Sequence, residues 1–152
     1  MTQEEKIVED LKSRFNFLEG KIRNPRAKRI FLDLDLGQFK ELFDYAIKQM
    51  GFSSLCAITG LDEGVNMACI YHLSGANGIT LNIKVTFLKE NPVIQSVTNY
   101  FSSAEIYERE LVDLFGIKVQ GLAEGNRYPL TDDWPKDEFP LRKDWKGGGS
   151  SA

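Results

Sequence analysis

The feature that most constrains this sequence is a strict alternation of apolar and polar residues at positions 79–87. A period of two places successive side chains on opposite faces of a β-strand, so that one face is buried and the other meets solvent. The segment therefore predicts a strand that buries one face only. Its apolar members are Ile79, Leu81, Ile83, Val85 and Phe87.

Two more strand-like segments precede this one, at residues 52–59 and 65–73. Turn clusters that contain glycine separate the three segments, at residues 60–64 and 74–78. Connections this short join neighbouring antiparallel strands, because parallel strands need a crossover of roughly a dozen residues or more. The three segments are therefore predicted to form an antiparallel meander.

Three further segments carry apolar residues at helical spacing. The first follows Thr2 and Glu5, which are spaced as in a capping box. The second follows Asp35 and Gln38 at the same spacing, and the third opens at residues 102–105 with another capping box. Together with the meander, they predict an α/β (α+β) fold in which helices pack on a mixed sheet.

Residues 122–145 show neither a helical nor a strand period. Aromatic side chains at the density found there need a surface that buries them, so we predict an ordered, extended C-terminal arm. The chain is accordingly divided into a compact α/β domain at 1–121, a partner-wrapping arm at 122–146, and a flexible linker or tag remnant at 147–152. The prolines and large aromatic residues of the arm include Pro129, Pro135, Pro140, Trp134, Phe139 and Trp145.

A basic run at residues 21–29 contains five basic residues and no acidic one. Pro25 and the lack of any period predict a loop, which leads into a short strand at residues 30–34. Three interpretations are open: a solvated connection, a contact with an acidic partner surface, and, more distantly, a nucleic-acid site.

The composition argues against several classes of function. The formal net charge of −3 disfavours a nucleic-acid binder that works by bulk charge. Cys56, Cys69 and the single histidine, His72, cannot by themselves supply a four-ligand zinc site or an iron–sulfur cluster. We expect both cysteines to be buried free thiols and His72 to be a packing residue. No apolar run approaches the roughly 20 residues that a membrane span requires.

The third predicted helix is rich in charge. Glu105, Arg109 and Asp113 share one of its sides at i, i+4 spacing. A glutamate that precedes its arginine by four residues has the favourable order for a helical ion pair. These three side chains are therefore predicted to form a salt-bridged face that meets solvent.

Glu108 lies instead on the apolar side of this helix. A buried carboxylate is costly unless it is paired and hydrogen-bonded, so we expect it to meet a cation. Two roles are open, an internal strut that ties the arm to the helix or a catalytic acid with a raised pKa. The candidate cations are Arg127, Arg142 and Lys143.

Residues 108–117 read E-R-E-L-V-D-L-F-G-I, and residues 140–145 read P-L-R-K-D-W. These segments resemble the E-R-E-x-x-D-[LM]-[FY]-G-I signature and the P-L-R-K-D-aromatic hallmark of the 30 kDa subunit family of respiratory complex I. Asp132-Asp133-Trp134 is similar to that family's acidic-acidic-Trp step. The detailed resemblance covers about residues 92–145.

Between the two motifs the sequence departs from the family pattern. The family usually continues with H-P-x-L-R-R, whereas residues 122–129 read L-A-E-G-N-R-Y-P, so the His-Pro is missing and Arg127 remains of the arginine pair. Position 107 holds Tyr, where typical complex I members often have Trp. With its short length, the chain most resembles the homologous small subunit of a membrane-bound energy-converting [NiFe] hydrogenase.

The resemblance implies a non-catalytic scaffold subunit, peripheral and on the cytoplasmic side of the membrane, which supports electron transfer from ferredoxin-type donors to protons coupled to ion translocation. It implies no catalytic, cofactor or metal residue in this chain, and places the [NiFe] centre and iron–sulfur clusters in the partners. Those partners are the large catalytic subunit and the iron–sulfur small subunit, with the membrane arm contacted indirectly and no nucleic acid bound. The residues assigned to a partner interface or structural motif are Glu108, Arg109, Glu110, Asp113, Phe115, Gly116, Arg127, Trp134, Pro140, Leu141, Arg142, Lys143, Asp144 and Trp145.

Other functions fit parts of the same pattern. The equivalent subunit of an NADH or F420H2:quinone oxidoreductase is the main alternative, and formate hydrogenlyase complexes are related. A stand-alone adaptor or binding domain is a distant alternative. An enzyme is equally distant, because the sequence shows no nucleophile–base pair and no phosphate-binding glycine loop. Arg142 or Lys143 is expected to anchor the arm to acidic groups of the helix or of a partner.

Overall fold

The computed structural model describes residues 1–147, so the predicted linker or tag remnant at 147–152 lies, apart from its first residue, outside the described residues. The chain divides into two compact units. Unit one comprises Met1–Ile58 and Cys69–Thr86, and unit two comprises Thr59–Ala68 and the chain from Phe87 onward. The helices are α1 (Gln3–Arg14), α2 (Leu36–Lys48) and α3 (Ala104–Phe115), and the strands are β1 (Ile22–Arg26), β2 (Arg29–Asp35), β3 (Ser54–Asp62), β4 (Asn66–Ser74), β5 (Thr80–Leu88), β6 (Val93–Gln95) and β7 (Lys118–Gln120).

Five strands form one sheet in the order β1, β2, β5, β4, β3. β1 runs antiparallel to β2, and β2 runs parallel to β5 with Ile30 opposite Leu81. The connections between β3, β4 and β5 span residues 63–65 and 75–79, which is too short for a parallel crossover. These three strands are therefore an antiparallel meander, and the predicted mixed sheet with helices is confirmed.

β5 buries the apolar members of its alternation, as the period of two predicts. One polar member departs from the pattern, because Asn82 is also buried. Its Nδ2 donates to the carbonyl of Ile30 at 3.1 Å, and its Oδ1 lies 2.6 Å from Nδ1 of His72. A buried amide needs such partners, so Asn82 and His72 are explained by packing within unit one.

The capping motifs predicted for the first two helices are present. The hydroxyl of Thr2 accepts from the N–H of Glu5 at 3.1 Å, and the Glu5 carboxylate accepts from the N–H of Thr2 at 2.8 Å. At α2, the side-chain carbonyl of Gln38 accepts from the N–H of Asp35 at 3.0 Å. The capping box predicted at residues 102–105 is wrong, because the helix is capped one residue later, at Ser103, and the Ser103 side chain makes no capping bond.

An aromatic cluster joins α2 to the sheet in unit one. The ring centroid of Tyr71 on β4 lies 4.7 Å from that of Phe39 and 5.5 Å from that of Phe43. Tyr71 and Phe43 are buried. Because aromatic rings bury more apolar surface than other side chains, this cluster contributes much of the attachment of α2.

Two predictions for unit one are wrong. Residues 21–29 are not a loop, because β1 pairs with β2 across a turn at Ala27 and Lys28. Pro25 is compatible with a strand here, since β1 is at the edge of the sheet and its outward N–H positions need no partner strand. Cys69 is buried as expected, whereas Cys56 is exposed on β3, the other edge strand.

Unit two is built around α3. β6 and β7 form a parallel pair with Ile94 opposite Val119, and α3 lies in the crossover between them. Residues 93–101, which lead from β5 to α3, thus begin with a strand. α3 ends at Gly116, whose φ of +71° is the left-handed conformation that glycine adopts without strain.

Gly60 on β3 marks a close approach to α3 that a side chain would prevent. A Cβ at this position would lie 2.5 Å from the ring of Phe115 and 2.9 Å from a methyl carbon of Leu111. We expect Gly60→Ala to lower the free energy of unfolding by about 1–3 kcal/mol, because the added methyl overpacks this contact. Urea denaturation of the full chain measures the change.

Gly37 in α2 provides the matched control, because a Cβ there meets nothing within 4 Å. Gly37→Ala should be neutral or stabilising, since alanine loses less conformational entropy than glycine when it enters a helix. Equal stability of the two variants would contradict the close approach of α3 to Gly60.

Candidate functional site

The candidate site is the arm junction, by which we mean the contacts of residues 122–145 with α3 and with Asp62. Asp62 ends β3 and is only 8% exposed. Its Oδ2 accepts from Nζ of Lys89 and from the backbone N–H of Lys143, both at 2.7 Å. Its Oδ1 accepts from the N–H of Gly64 at 3.0 Å. This carboxylate therefore ties the P-L-R-K-D motif to the β3–β4 turn.

The protonation state of Asp62 follows from these contacts. Burial by itself raises the pKa of Asp62, but the hydrogen bonds from Lys89, Gly64 and Lys143 favour the charged form. The donors outweigh the burial and hold the pKa at about 2, below the ordinary value of 3.8. Asp62 is thus an anion at neutral pH, and its ionisation stabilises the folded chain.

Asp113 holds the middle of the arm. It was predicted on a solvent-facing side of α3, but it is buried. Its Oδ1 accepts from Nε of Arg127 at 3.0 Å, and its Oδ2 accepts from the N–H of Leu130 at 2.8 Å. Arg127 also donates through Nη1 to the carbonyl of Trp134. The prediction is wrong because periodicity describes α3 alone, and the arm covers this side of the helix.

Arg109 forms the predicted helical ion pair and a second contact. Its Nη2 lies 2.8 Å from Oε1 of Glu105 and donates to the carbonyl of Ala123 at 2.7 Å. A Cβ on Gly125 would lie 2.5 Å from the same guanidinium nitrogen. The start of the arm therefore lies directly against the Arg109 guanidinium, and Gly125 leaves the room for it.

Glu108 is buried, as predicted, but it does not meet a cation. Its Oε1 accepts from the hydroxyl of Ser96 and its Oε2 from the N–H of Val97, both at 2.7 Å. The three candidate cations in the arm contact other groups. Burial raises the pKa of Glu108, opposed by these two hydrogen bonds. Glu108 therefore joins α3 to the segment after β6 and not to the arm.

The second motif attaches to the C-terminal end of α3. Arg142 donates through Nε to the carbonyl of Phe115 at 2.6 Å, and its guanidinium lies 5.3 Å from the centroid of the Phe139 ring. The same ring covers Gly116, where a Cβ would lie 2.7 Å from its carbons. Arg142 was expected to bind acidic groups, but a helix C-terminus also attracts a cation through its unsatisfied carbonyls. Lys143 binds Asp62 through its backbone N–H.

The two tryptophans of the arm lie against each other. The ring centroids of Trp134 and Trp145 are 5.9 Å apart. Both indole N–H groups donate to Glu138. Nε1 of Trp134 donates to the backbone carbonyl of Glu138 at 2.8 Å, and Nε1 of Trp145 donates to the side-chain carboxylate of Glu138 at 3.3 Å. The arm thus satisfies its own indole donors in a local cluster.

The remaining assigned residues are placed at the margins of the junction. Leu141 donates its N–H to the carbonyl of Leu114 at 3.0 Å, while its side chain is 52% exposed. Asp144 lies 3.6 Å from Nζ of Lys89 and is largely exposed. Glu110 and Pro140 are half-buried. The arm junction thus uses many of the assigned residues but leaves an apolar side chain open to solvent.

Sequence reasoning missed Asp62, Lys89 and Ser96. For Asp62 a local signal exists, because an Asp two residues before a Gly in a turn cluster is typical of a side chain that caps its own turn. For Lys89 and Ser96 no local pattern indicates a role, because each binds a carboxylate that is distant in sequence.

A groove of about 330 Å³ lies between the arm and α3, and its lining includes Arg109, Arg127 and Lys136.

Within residues 1–147, no group of three or more His, Cys, Asp or Glu side chains is arranged to hold a metal ion. None of the helices in this part of the chain has the length and apolar character needed to cross a membrane.

The chain is similar to known proteins in both sequence and structure. The family described as the 30 kDa subunit of the respiratory-chain NADH dehydrogenase matches residues 24–151. A subunit of the F420H2 dehydrogenase of Methanosarcina mazei is 31% identical over 146 residues, covering 93% of this chain and 90% of that protein. The beta subunit of the membrane-bound hydrogenase of Pyrococcus furiosus is 26% identical over 155 residues, covering 97% and 88%.

Solved structures agree with these matches. The Nqo5 fragment superposes with a TM-score of 0.67 at 27% identity, over 82% of this chain and all of that one. A chain in the structure of the membrane-bound sulfane sulfur reductase, an archaeal respiratory membrane complex, gives a TM-score of 0.85 at 20% identity, over 99% of this chain and 89% of that one. The second similarity shows the fold alone.

The chain therefore belongs to the 30 kDa subunit family of the respiratory-chain NADH dehydrogenase, and the resemblance drawn from its two motifs is confirmed. Its relatives include subunits of NADH-quinone oxidoreductases, of an F420H2 dehydrogenase and of a membrane-bound hydrogenase. It is thus a member of a family of oxidoreductase complex subunits.

We expect Asp62→Asn to lower the free energy of unfolding at pH 7 by about 2 kcal/mol, because the favourable ionisation of Asp62 is lost. The difference from the wild type should shrink as the pH falls from 3.8 to about 2, where the wild-type carboxylate takes up its proton. Urea denaturation of both proteins at a series of pH values measures this difference.

Asp137→Asn is the control, because Asp137 is an exposed carboxylate of the same arm. It should match the wild type at pH 7. A deficit in Asp62→Asn that stays constant between pH 7 and about 2 would contradict the assigned role of the charge.

Proposed function

We propose that this chain is a non-catalytic scaffold subunit in the peripheral arm of a membrane-bound oxidoreductase complex related to complex I. The observation that carries the proposal is that the charged side chains at the arm junction bind other parts of this chain. The hydrogen bonds of Asp113, Arg127 and Arg142 hold the arm against α3. A set of charges used in this way supports a role in shaping a surface, and not in reacting with a substrate.

The partners we propose are the large catalytic subunit and the iron–sulfur small subunit of the same complex. The [NiFe] centre, where present, and the iron–sulfur clusters would lie in those partners. Support comes from the arm, where Leu141 and Tyr128 expose apolar surface beside polar groups. Exposed aromatic and aliphatic side chains on an ordered segment are typical of the core of a protein interface.

The location that follows from this proposal is peripheral, on the cytoplasmic side of the membrane. Support comes from the relative in Pyrococcus furiosus, whose name places it in a membrane-bound hydrogenase. In this proposal the chain meets the membrane arm only through its partner subunits.

Two types of complex are candidates, each favoured by a particular relative. A [NiFe] hydrogenase that passes electrons from ferredoxin-type donors to protons is favoured by the near full-length match to the beta subunit of the membrane-bound hydrogenase. An F420H2 dehydrogenase is favoured by the higher identity to its matching subunit, over almost the whole of both chains. Nickel analysis of the complex isolated through this chain separates them, because only the hydrogenase type should contain stoichiometric nickel.

Co-purification tests the scaffold role itself. We expect the tagged full chain to isolate with at least a large catalytic subunit and an iron–sulfur subunit. A chain that isolates only as a monomer from its native cells would overturn the scaffold proposal and favour a stand-alone adaptor.

Leu141→Asp tests the arm as the contact surface. The side chain is 52% exposed, so the isolated chain should keep its free energy of unfolding within about 0.5 kcal/mol. The amount of chain recovered in the complex should fall by about tenfold or more, because a charge would replace an apolar interface contact. Leu88→Asp is the control, since Leu88 is 59% exposed but lies outside the arm. Equal recovery of the two variants would count against the arm.

A further inference from the structure

We infer that the basic hairpin, residues 21–29 with the turn between β1 and β2, is a docking surface for an acidic face of a partner protein. This surface lies in unit one. The inference rests on the proposed function only in taking the partner to be another subunit of the same complex. The five cations of the hairpin are Lys21, Arg23, Arg26, Lys28 and Arg29.

The folded chain neutralises this charge only in part. The carboxylate of Glu4 attracts the charge of Lys28. Arg23 has an acidic neighbour, Asp33, at 3.4 Å, in a largely exposed pair. Arg29 donates to the hydroxyl of Thr80, which carries no charge. Within the described residues, the side chains of Lys21 and Arg26 have no hydrogen-bond or ion-pair partner, and both are exposed. In a chain whose net charge is −3, this is a local excess of positive charge.

The turn of the hairpin holds a lysine in an unfavourable conformation. Lys28 has a φ of +62°, a region that glycine or asparagine occupies far more readily. The turn is held by the N–H of Lys28, which donates to a carboxylate oxygen of Glu4 at 2.7 Å, and by its carbonyl, which accepts from the N–H of Thr80 at 3.0 Å. Glycine would make the same backbone bonds with less strain, so Lys28→Gly removes the ammonium group and leaves these bonds in place.

The hairpin is suited to recognition by side chains and not by strand addition. β1 is an edge strand, but its register shifts between Arg23 and Arg26, and Pro25 has no N–H to offer. Bulges and prolines of this kind block pairing with a further strand. The exposed arginine guanidinium groups remain, and their planar donors match carboxylates.

An acidic protein surface fits this hairpin better than a lipid surface. Binding at a membrane interface draws on exposed apolar side chains beside the charges. Here Ile22 is buried, and the half-buried ring of Phe31 lies under the guanidinium of Arg23 at 5.2 Å. Neither apolar side chain is therefore free to insert into a lipid surface beside the charges of the hairpin.

The test measures binding of the full chain to its complex. The probe is the complex purified without this chain and immobilised through a tag on another subunit. For Lys21→Glu combined with Arg26→Glu, we expect the Kd at about 0.15 M salt to rise by at least about tenfold. At about 1 M salt the two Kd values should differ by less than about twofold, because the charges are then screened.

The matched control is Lys6→Glu combined with Lys40→Glu, which changes the charge equally at exposed positions outside the hairpin. It should bind as the wild type does. Wild-type binding by the hairpin variant would overturn the inference, as would equal weakening by both variants, which would indicate bulk charge. If the wild type itself fails to bind at any salt concentration, the proposed function fails with it, so the two failures are distinguishable.

Lys28→Gly adds a readout that a purely structural turn would not show. The melting temperature should rise by about 2–3 °C as strain is removed, while the Kd at low salt also rises. A rise in stability with an unchanged Kd would count against a role for the lysine. Flotation of the wild type with vesicles of anionic lipid, lost in the hairpin variant, would assign the surface to the membrane and overturn the inference.

Discussion

The buried carboxylate of Asp62 is the interaction on which the form of unit two depends. An ionised group in a low-dielectric environment is tolerated only when donors surround it, and here an ammonium group and two backbone N–H groups do so. One of those donors belongs to Lys143, 81 residues further along the chain. The path of the arm is therefore set by the requirement to satisfy a charge that β3 buries.

α3 provides further contacts of the arm, and several of them use polar groups suited to their position on the helix. Along the helix, Arg109 donates to the carbonyl of Ala123. Asp113 accepts from Arg127 and from the N–H of Leu130. At the C-terminal end of the helix, the carbonyl of Phe115 accepts from Arg142. The arm lacks regular secondary structure, so these side chains satisfy backbone groups that a helix or strand would satisfy internally. The charged character of the two motifs follows from that requirement.

Much of the fold could be predicted because its signals are local. The alternation in β5, the short turns of the meander and the capping pairs at Thr2 and Asp35 each act over a few residues. The failures occurred where the outcome depends on a neighbour. Residues 21–29 became a strand because β2 was available to pair with them, although Pro25 and the lack of period indicated a loop. Residues 102–105 have the spacing of a capping box, but the N-cap residue Ser103 has a helical backbone conformation and its side chain makes no capping bond.

The sequence by itself determined the family, the meander, the helices and the burial of Glu108, because motifs and periodicity depend only on the order of residues along the chain. Tertiary structure decided which charges meet. Asp113 and Glu108 lie on the same helix, yet one binds an arginine of the arm and the other a hydroxyl and an amide beside β6. The same holds for Asp62 and Lys143. Partner choice among charged side chains depends on distance in the folded chain, and that distance is set by packing that no local pattern encodes.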